Sequence, residues 1–359
     1  MRVLFTIGTL GGGGAERNVS LLANKFVNNG YEVGIMTIWG NEQVYQLDPR
    51  IEYIPLNPTF NNKLDRFFKQ VFQIRSKIKK FEPDVVISFL ADVNSFVLLR
   101  TRLLKCKVIV SERNDPNIDP TIKLFRLLRK LIYPFADGYV FQTEDAREYF
   151  YRIANKRNSI VICNPVREDL PIHNEKNNSK IISSACRLTE QKNLPMLINA
   201  FAGINKIHPE YQLHIYGEGN MQSELQKYID EKGLTAKVKL MGFSKDVCSK
   251  INESEIFALA SNYEGMSNSM LEALAMGMPT VVTDCPIGGA RMIINNGKNG
   301  ILVPVGDTYA MQLALEKLIE NQELRRTLSE NALEIRNTNS VDRIIQKWLD
   351  FIVNIVGEK

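Results

Sequence analysis

The sequence predicts an α/β protein of two doubly wound domains, each a parallel sheet with helices on both faces. Its 359 residues exceed the roughly 100 to 200 of one compact domain. Short β-branched runs alternate with helical patterns throughout, as in parallel sheets. This pattern stops in the polar stretch 164–179, whose residues 174–178 have the composition of a linker, and then restarts. We therefore predict domains over residues 1–170 and 171–340, with a C-terminal helix over 341–359 that packs back on the first domain.

Each half supplies its own set of candidate strands. In the first half the strands are 3–7, 32–38, 85–89, 107–111 and 138–142, and the helices lie near 16–29, 64–80 and 121–133. In the second half the strands are 181–185, 212–216, 238–241, 256–260 and 280–283, and the last hundred residues are largely helical. Because ligands bind beyond the carboxyl ends of parallel strands, we expect the two sheets to face each other across a cleft that holds the active site.

Composition indicates a globular protein. Hydrophobic residues make up 44% and charged residues 24%, and no apolar run reaches the roughly 18 residues of a membrane span. The first strand begins directly after Met1 and Arg2 without a signal-peptide pattern, which predicts a cytoplasmic chain. Five cysteines without a C-x-x-C pair, and three scattered histidines, predict neither a disulfide framework nor a transition-metal centre.

The net charge of +5 is unevenly distributed. Residues 1–170 contain 25 Lys and Arg against 18 Asp and Glu, a balance of +7, whereas the remainder has 20 against 22, a balance of −2. Much of the excess lies in two amphipathic segments, 62–81 and 123–133. The apolar residues at helical spacing are Phe67, Val71, Ile74 and Ile78 in the first segment and Leu124, Leu127, Leu128 and Leu131 in the second.

These two segments have two interpretations. The ordinary one is a core-facing helix with a solvated basic face. The alternative is a helix on an anionic membrane surface, where each cation contributes on the order of 1 kcal/mol.

A glycine run, Gly11 to Gly14, follows the first strand and opens a helix. Its backbone amides and the helix N-terminus can face a phosphate, although a tight turn would explain the glycines nearly as well. The spacing matches neither a G-x-G-x-x-G dinucleotide fingerprint nor a Walker A sequence.

The second domain carries charged residues at the ends of its strands. Arg187 and Lys192 share the loop after strand 181–185, where two cations can bracket a diphosphate. Glu264 precedes a helix and Glu272 lies eight positions later, roughly 9 to 12 Å along the axis. This separation suits the two ends of an extended ligand. For Glu272, a paired structural charge is the alternative.

Over essentially its whole length the chain resembles the retaining, nucleotide-sugar-dependent glycosyltransferases of family 4, which have the GT-B fold. The matching segments occur in the family's order and spacing. They are the Gly13-Gly14-Ala15-Glu16 loop, Arg187-Leu188 with Lys192-Asn193, Tyr216-Gly217-Glu218-Gly219, the Glu264 and Glu272 pair, Gly288-Gly289 and Gly297 with Gly300-Ile301-Leu302-Val303-Pro304.

The resemblance implies roles for individual residues. Arg187 and Lys192 would bind the donor diphosphate and Glu272 the ribose. The transferred sugar would contact Glu264 and the amides of Gly265, Met266, Ser267 and Asn268. Gly13 and Gly14 would approach the phosphates, and Gly242, Phe243 and Ser244 would lie by the base.

On the acceptor side we predict Glu16, Asp92 and Arg113. Arg113 occupies the loop where many relatives have a histidine, and it cannot act as a general base at neutral pH. A role as a simple ion-pairing residue is the alternative for Arg113. The predicted catalytic set is Arg187, Lys192, Glu264, Asp92 and Arg113.

The same resemblance predicts a reaction without metal or other cofactor. Arg187, Lys192 and helix-terminal amides can stabilise the leaving nucleoside diphosphate, and the chain contains no Asp-x-Asp sequence. Retention would proceed by same-face attack through an oxocarbenium-like transition state. Hydrolysis is disfavoured, because glycosidase carboxyls must flank one bond.

We predict transfer of a hexose or N-acetylhexosamine from a UDP-sugar to a glycan, in surface-polysaccharide or glycoprotein synthesis. The chain is especially similar to bacterial enzymes that act on polyprenyl-diphosphate-linked acceptors. The basic first domain would then lie against an anionic membrane, on the inner face of the cell membrane. Alternatives are a soluble acceptor and, from another class, a nucleic-acid-binding protein, for which no recognition motif appears.

Overall fold

The structure, a computed structural model, describes residues 1–56, 63–152, 158–174 and 178–357, with side chains of the helix that begins at Lys63 described from residue 72. The chain divides into two compact units. Unit 1 comprises Met1–Pro165 together with Asp342–Lys359, and unit 2 comprises Val166–Val341. Residues 175–177 of the predicted linker lie outside the described residues.

Unit 1 contains a seven-stranded, wholly parallel sheet in the order β3-β2-β1-β4-β5-β6-β7. Its strands are β1 Arg2–Ile7, β2 Glu32–Thr37, β3 Glu52–Pro55, β4 Val85–Phe89, β5 Lys107–Ser111, β6 Gly138–Phe141 and β7 Ser159–Val161. Its helices are α1 Gly14–Asn28, α2 Lys63–Phe81, α3 Ala91–Thr101, α4 Lys123–Ile132 and α5 Glu144–Tyr149. The central strands are buried along nearly their whole length, as expected for a parallel sheet covered on both faces.

Unit 2 contains a six-stranded parallel sheet in the order β10-β9-β8-β11-β12-β13. Its strands are β8 Ile181–Ala185, β9 Gln212–Tyr216, β10 Val238–Gly242, β11 Ile256–Leu259, β12 Thr280–Thr283 and β13 Ile301–Val303. Its helices are α6 Leu194–Ile207, α7 Gln222–Glu231, α8 Val247–Asn252, α9 Asn268–Met276, α10 Thr308–Glu320, α11 Gln322–Ala332 and α12 Ile335–Thr338. Leu197, Phe201 and Ile215 are fully buried in its core.

The last helix, α13 Val341–Val356, belongs to unit 1. Trp348 is buried with its ring centroid 5.8 Å from that of Phe89 in β4. A side chain at Gly138 in β6 would crowd Phe351 and Ile355 of this helix. The C-terminal segment therefore completes the core of the unit in which the chain begins.

Each sheet has a point at which the strand order reverses. In unit 1 this point lies between β1 and β4, and in unit 2 between β8 and β11. Loops that follow such neighbouring strands diverge to opposite faces and leave a crevice, which is the usual ligand site of open parallel sheets. The predicted α/β fold class is confirmed. Most of the predicted site residues follow these four strands, whereas Arg113 follows β5 and residues 242–244 lie at the end of β10.

Helix α4 differs from the core-facing interpretation. All four leucines at helical spacing, Leu124, Leu127, Leu128 and Leu131, are exposed, while Arg129 on the opposite face is fully buried. The core-facing interpretation is therefore wrong for α4. In α2, by contrast, Ile74 and Ile78 are buried as expected, and the side chains of Phe67 and Val71 lie outside the described residues.

Candidate active site

The loops after β8 and β11 bring together the candidate donor-binding residues of unit 2. Arg187 and Lys192 lie on the first loop and Glu264 on the second, and β8 and β11 are neighbours in the sheet. The carboxyl ends of neighbouring parallel strands meet at one edge, so these side chains share the crevice at the reversal point.

Lys192 and Glu264 contact each other directly. Lys192 Nζ donates to Glu264 Oε1, and Ser261 Oγ donates to the same oxygen at 2.9 Å. The two charged side chains are only 11% and 18% exposed, which strengthens a charge-assisted hydrogen bond. The sequence assigned these residues to different parts of the donor, whereas the structure makes them one ion pair.

Three further polar residues join the two loops. Gln191 Nε2 donates to the carbonyl of Tyr263 at 2.8 Å, and Asn193 Nδ2 donates to Asn262 Oδ1 at 2.9 Å. Arg187 is exposed, and its Nη2 is 3.4 Å from Gln191 Oε1. In the sequence, Asn193 was named only as part of a family segment, and Gln191 and Asn262 were given no role. The sequence feature that could have identified them as site residues is their position in loops between a strand and a helix, next to charged residues.

Glycines of the family motifs allow these loops to pack closely. A Cβ at Gly217 would overlap the carbonyl oxygen of Cys186, and one at Gly219 would overlap the backbone of Leu188. A Cβ at Gly289 would overlap the carbonyl oxygen of Gly265. The Gly217 and Gly219 motif therefore supports the loop of Arg187, and Gly289 supports the loop that follows Glu264.

Helix α9 begins beside Glu264. Its N-cap Ser267 accepts a hydrogen bond from the amide of Met270 at 3.4 Å, so the first-turn amides lie at the same sheet edge. Glu272, in the second turn, is buried. Together with Asp169, which has the larger effect, Glu272 raises the pKa of Arg167. The residues predicted to lie by the base, Gly242 to Ser244, end β10 and continue past it at that edge, with Phe243 exposed.

In unit 1 the glycine run forms the start of α1. Gly12 has φ +103°, a conformation that favours glycine, and Gly13 is the N-cap of the helix. The carboxylate of Glu16 lies over Gly13, where a negative charge is favourable at a helix N-terminus. The structure thus places Glu16, a predicted acceptor residue, against its own loop.

Asp92 and Arg113 follow the neighbouring strands β4 and β5. Asp92 lies in the first turn of α3, where partial desolvation of its carboxyl raises its pKa and Arg129 opposes that change. The guanidinium of Arg113 lies 4.7 Å from the ring of Phe89, and its Nη1 donates to Asn164 Oδ1 at 3.0 Å. Burial lowers the pKa of Arg113 to about 9. Its Nε and Nη2 are buried without a hydrogen-bond partner in the described part of the chain.

A buried ionic network surrounds Glu112, the residue that precedes Arg113. Arg129 Nη1 is 3.5 Å from Glu112 Oε2 and donates to the carbonyl of Asp119 at 2.7 Å. Tyr133 donates to the other oxygen of Glu112. Burial, then Glu112 and Asp92, raise the pKa of Asp119 to about 6. No role for Glu112, Asp119 or Arg129 was predicted from the sequence, because the contacts among them depend on the fold.

In the part of the chain that the structure describes, no helix has the length and hydrophobicity that a membrane span needs. Within the same residues, no group of three or more His, Cys, Asp or Glu side chains is arranged to hold a metal ion.

Two family models match consecutive parts of the chain. The model described as Glycosyltransferase Family 4 matches residues 12–170, and the model described as Glycosyl transferases group 1 matches residues 166–335. Together with the two parallel sheets, these matches show that the chain belongs to the GT-B glycosyltransferases of the family 4 type.

Two similar relatives are N-acetylgalactosaminyltransferases of Campylobacter jejuni. The first, named for a GalNAc-GalNAc-diNAcBac-PP-undecaprenol substrate, is 27% identical over 99% of both chains. The second, named for N-acetylgalactosamine-N,N'-diacetylbacillosaminyl-diphospho-undecaprenol, is 28% identical over 90% of this chain and 92% of the relative. Among solved structures, HepE of Anabaena in complex with UDP and glucose superposes with a TM-score of 0.85. It is 19% identical over 98% of this chain and 99% of that chain.

Proposed function

We propose that this glycosyltransferase moves a hexose or N-acetylhexosamine from a UDP-sugar to a polyprenyl-diphosphate-linked glycan, with retention of anomeric configuration and without a metal or other cofactor. The observation that carries the proposal is the Lys192–Glu264 pair beside Arg187, at the carboxyl ends of β8 and β11. This arrangement combines cations for a diphosphate with a fixed carboxylate for a sugar.

The donor would bind to unit 2. Arg187 and Lys192 bind the diphosphate and stabilise the charge that develops on the leaving UDP, together with the first-turn amides of α9. Glu264 accepts hydrogen bonds from hydroxyls of the transferred sugar, and Glu272 does the same for the ribose. Gly13 and Gly14 of the α1 loop contribute amides to the phosphates. The UDP seen in HepE supports this choice of nucleotide.

The attack would come from the face of the sugar that the leaving phosphate vacates. In this route the donor phosphate accepts the proton of the acceptor hydroxyl, so no protein base is required. Arg113 is compatible with a route that needs no protein base, because a group with a pKa of about 9 keeps its proton at neutral pH. Its charge is available for the acceptor or for a phosphate.

The acceptor would bind to unit 1, through Asp92, Arg113 and Glu16. Both Campylobacter relatives are named for diphosphate-linked undecaprenol glycans, which supports an acceptor of this chemistry. The balance of +7 in residues 1–170 suits an anionic lipid diphosphate and an anionic membrane. We therefore place the enzyme on the inner face of the cell membrane, in surface-glycan or glycoprotein synthesis.

Binding of UDP tests the donor site. In titration calorimetry we expect Arg187→Ala and Lys192→Ala each to weaken UDP binding at least about tenfold, because each removes one charge-assisted contact. Lys227→Ala is the matched control, since Lys227 is exposed on α7 and forms a surface ion pair with Glu231 one turn away. Unchanged UDP affinity in both site variants, with the fold intact, would remove the basis of the proposal.

A further inference from the structure

The exposed face of α4 is a continuous apolar surface. We call it the leucine patch, and it consists of Ile122, Leu124, Phe125, Leu127, Leu128, Leu131 and Phe135. Leu127 is 59% and Leu131 65% exposed. Single exposed apolar residues are ordinary, but seven within fourteen positions mark an interaction surface.

The opposite face of α4 explains why the leucines point outward. Arg129 is fully buried and donates to the backbone carbonyls of Pro116 and Asp119, at 2.6 and 2.7 Å, beside the carboxylate of Glu112. Arg126 ties the helix to the preceding loop through the carbonyl of Ile118 at 2.8 Å. Turning the leucines inward would leave Glu112 buried without its cation, which is costly. The polar network therefore holds the apolar face of α4 exposed.

Cations surround the leucine patch. Between positions 120 and 136 the chain has four Lys and Arg and no Asp or Glu. Lys123 and Lys130 are exposed among the leucines. Next to them, the guanidinium of Arg102 lies 4.5 Å from the ring of Phe135, and Leu103 is 91% exposed. An apolar face bordered by cations matches an interface between hydrocarbon and anionic headgroups.

We propose that the leucine patch of α4 inserts into the surface of an anionic bilayer, with Lys123, Lys130 and Arg102 among the headgroups. A second copy of the chain suits the patch less well, because a twofold contact would bring the same cations together. The inference rests on the proposed function only in that a membrane-embedded acceptor gives the contact a purpose. The loop from β5 to α4 carries Arg113, so docking of α4 would hold this acceptor residue close to the membrane.

Vesicle flotation tests the proposal. We expect wild-type protein to float with vesicles of equal parts phosphatidylglycerol and phosphatidylcholine, and much less with phosphatidylcholine alone. Leu127→Ser combined with Leu131→Ser should weaken binding by about tenfold per leucine, since each loses burial of a whole side chain. High salt should reduce wild-type binding only in part, because apolar insertion is not screened.

The matched control is Leu313→Ser, which changes a half-exposed leucine on α10 of unit 2 and should leave flotation unchanged. Lys123→Glu with Lys130→Glu should abolish the preference for anionic lipid. All of these substitutions are on the surface, so thermal unfolding should stay near that of the wild type.

Three results would overturn the proposal. One is absence of flotation by the wild type, and another is equal flotation of the Leu127 and Leu131 variant. The third is a wild-type dimer in sedimentation that the same variant dissociates, which would assign the patch to a second copy. UDP binding and transfer to a short-chain, water-soluble acceptor are measured in parallel. Both activities should be unchanged by the leucine substitutions. If the wild-type protein shows neither UDP binding nor transfer, that result counts against the proposed function and not against the membrane contact.

Discussion

The carboxylate of Glu264 accepts hydrogen bonds from both Lys192 and Ser261. Its position is therefore set within unit 2, and part of the charge of Lys192 is compensated there. A diphosphate that approaches Lys192 must compete with Glu264 or share the lysine with it. This arrangement separates two contributions that single substitutions can distinguish, the charge on the sugar side and the cation on the phosphate side.

Glu264→Gln keeps the size of the side chain and removes its charge. We expect sugar transfer to fall on the order of 100-fold, because the carboxylate stabilises the transition state. UDP affinity should stay equal or increase, since Lys192 loses its competing anion. Initial rates and calorimetry measure the two effects, with the exposed Glu231→Gln as control. A parallel loss of UDP affinity would show that Glu264 does not act mainly on the sugar.

Asp119 gives a prediction for pH dependence. Its pKa in the folded protein is about 6, above the ordinary 3.8, because burial, Glu112 and Asp92 outweigh Arg129 and Arg126. The folded state therefore holds this proton more tightly than the unfolded state. The stability it contributes is present below pH 4 and is lost as the pH rises through about 6.

Asp119→Asn replaces the carboxyl group with an amide of similar size, which is neutral at every pH. We expect the variant to be more stable than the wild type at pH 7 by on the order of 2 kcal/mol, and equally stable near pH 4. Urea unfolding at both pH values measures the difference. Lower stability of the variant at pH 7 would mean that the Asp119 carboxylate is held by favourable contacts.

At the scale of elements, the loop after β8 depends on close backbone approach. Gly217 has φ +131° and lies against the carbonyl of Cys186. Gly217→Ala should therefore displace the loop of Arg187 and weaken UDP binding at least about tenfold. Gly233→Ala is the control, because Gly233 also has a positive φ of 67° but no neighbour within 4 Å of a new Cβ. The control should lose only about 1 kcal/mol of stability and no UDP affinity, so equal UDP affinity in both variants would contradict this role of Gly217.

Most strands of the two sheets could be predicted from the sequence. Alternation of apolar runs with helices located the central strands β1, β4, β5, β8 and β11, which have four to six residues and are buried along most of their length. The sequence did not predict β3, β7 and β13, which lie at sheet edges and have three or four residues. Each of these edge strands pairs on one side only and has a single buried residue, so it lacks the continuous buried run of a central strand.

Helix α4 shows a different limit. Its leucine spacing predicted an amphipathic helix, and the helix is present. Periodicity identifies an apolar face but does not determine whether that face points to the core. The direction depends on Arg129 and its contacts with Glu112, Pro116 and Asp119, which the fold brings together. The Lys192–Glu264 pair was unpredictable for the same reason, because its members are 72 positions apart.

At the scale of the molecule, the chain returns to its first unit. Helix α13 places Trp348 against Phe89, and the guanidinium of Arg113 lies 5.7 Å from the centre of the Trp348 ring. The C-terminal segment thus supports both the core of unit 1 and a predicted acceptor residue. Val166–Val341 forms unit 2 as an insertion between the two parts of unit 1.

Trp348→Ala should destabilise unit 1 by about 3 to 5 kcal/mol, the usual cost of emptying a buried tryptophan site. In scanning calorimetry, we expect the transition of unit 1 to move to lower temperature. The transition that UDP raises belongs to unit 2 and should keep its midpoint. A shift of the UDP-sensitive transition alone would contradict the assignment of α13 to unit 1.

The most direct measurement of the central claim is sugar transfer itself. Wild-type protein and Lys192→Ala are incubated with a panel of UDP- and GDP-sugars and a polyprenyl-diphosphate-linked glycan, and the product linkage is determined by NMR. We predict transfer from an α-linked UDP-sugar by the wild type, an α-linkage in the product and severe loss of transfer in the variant. A β-linked product, or transfer that the Lys192 substitution leaves unchanged, would contradict it.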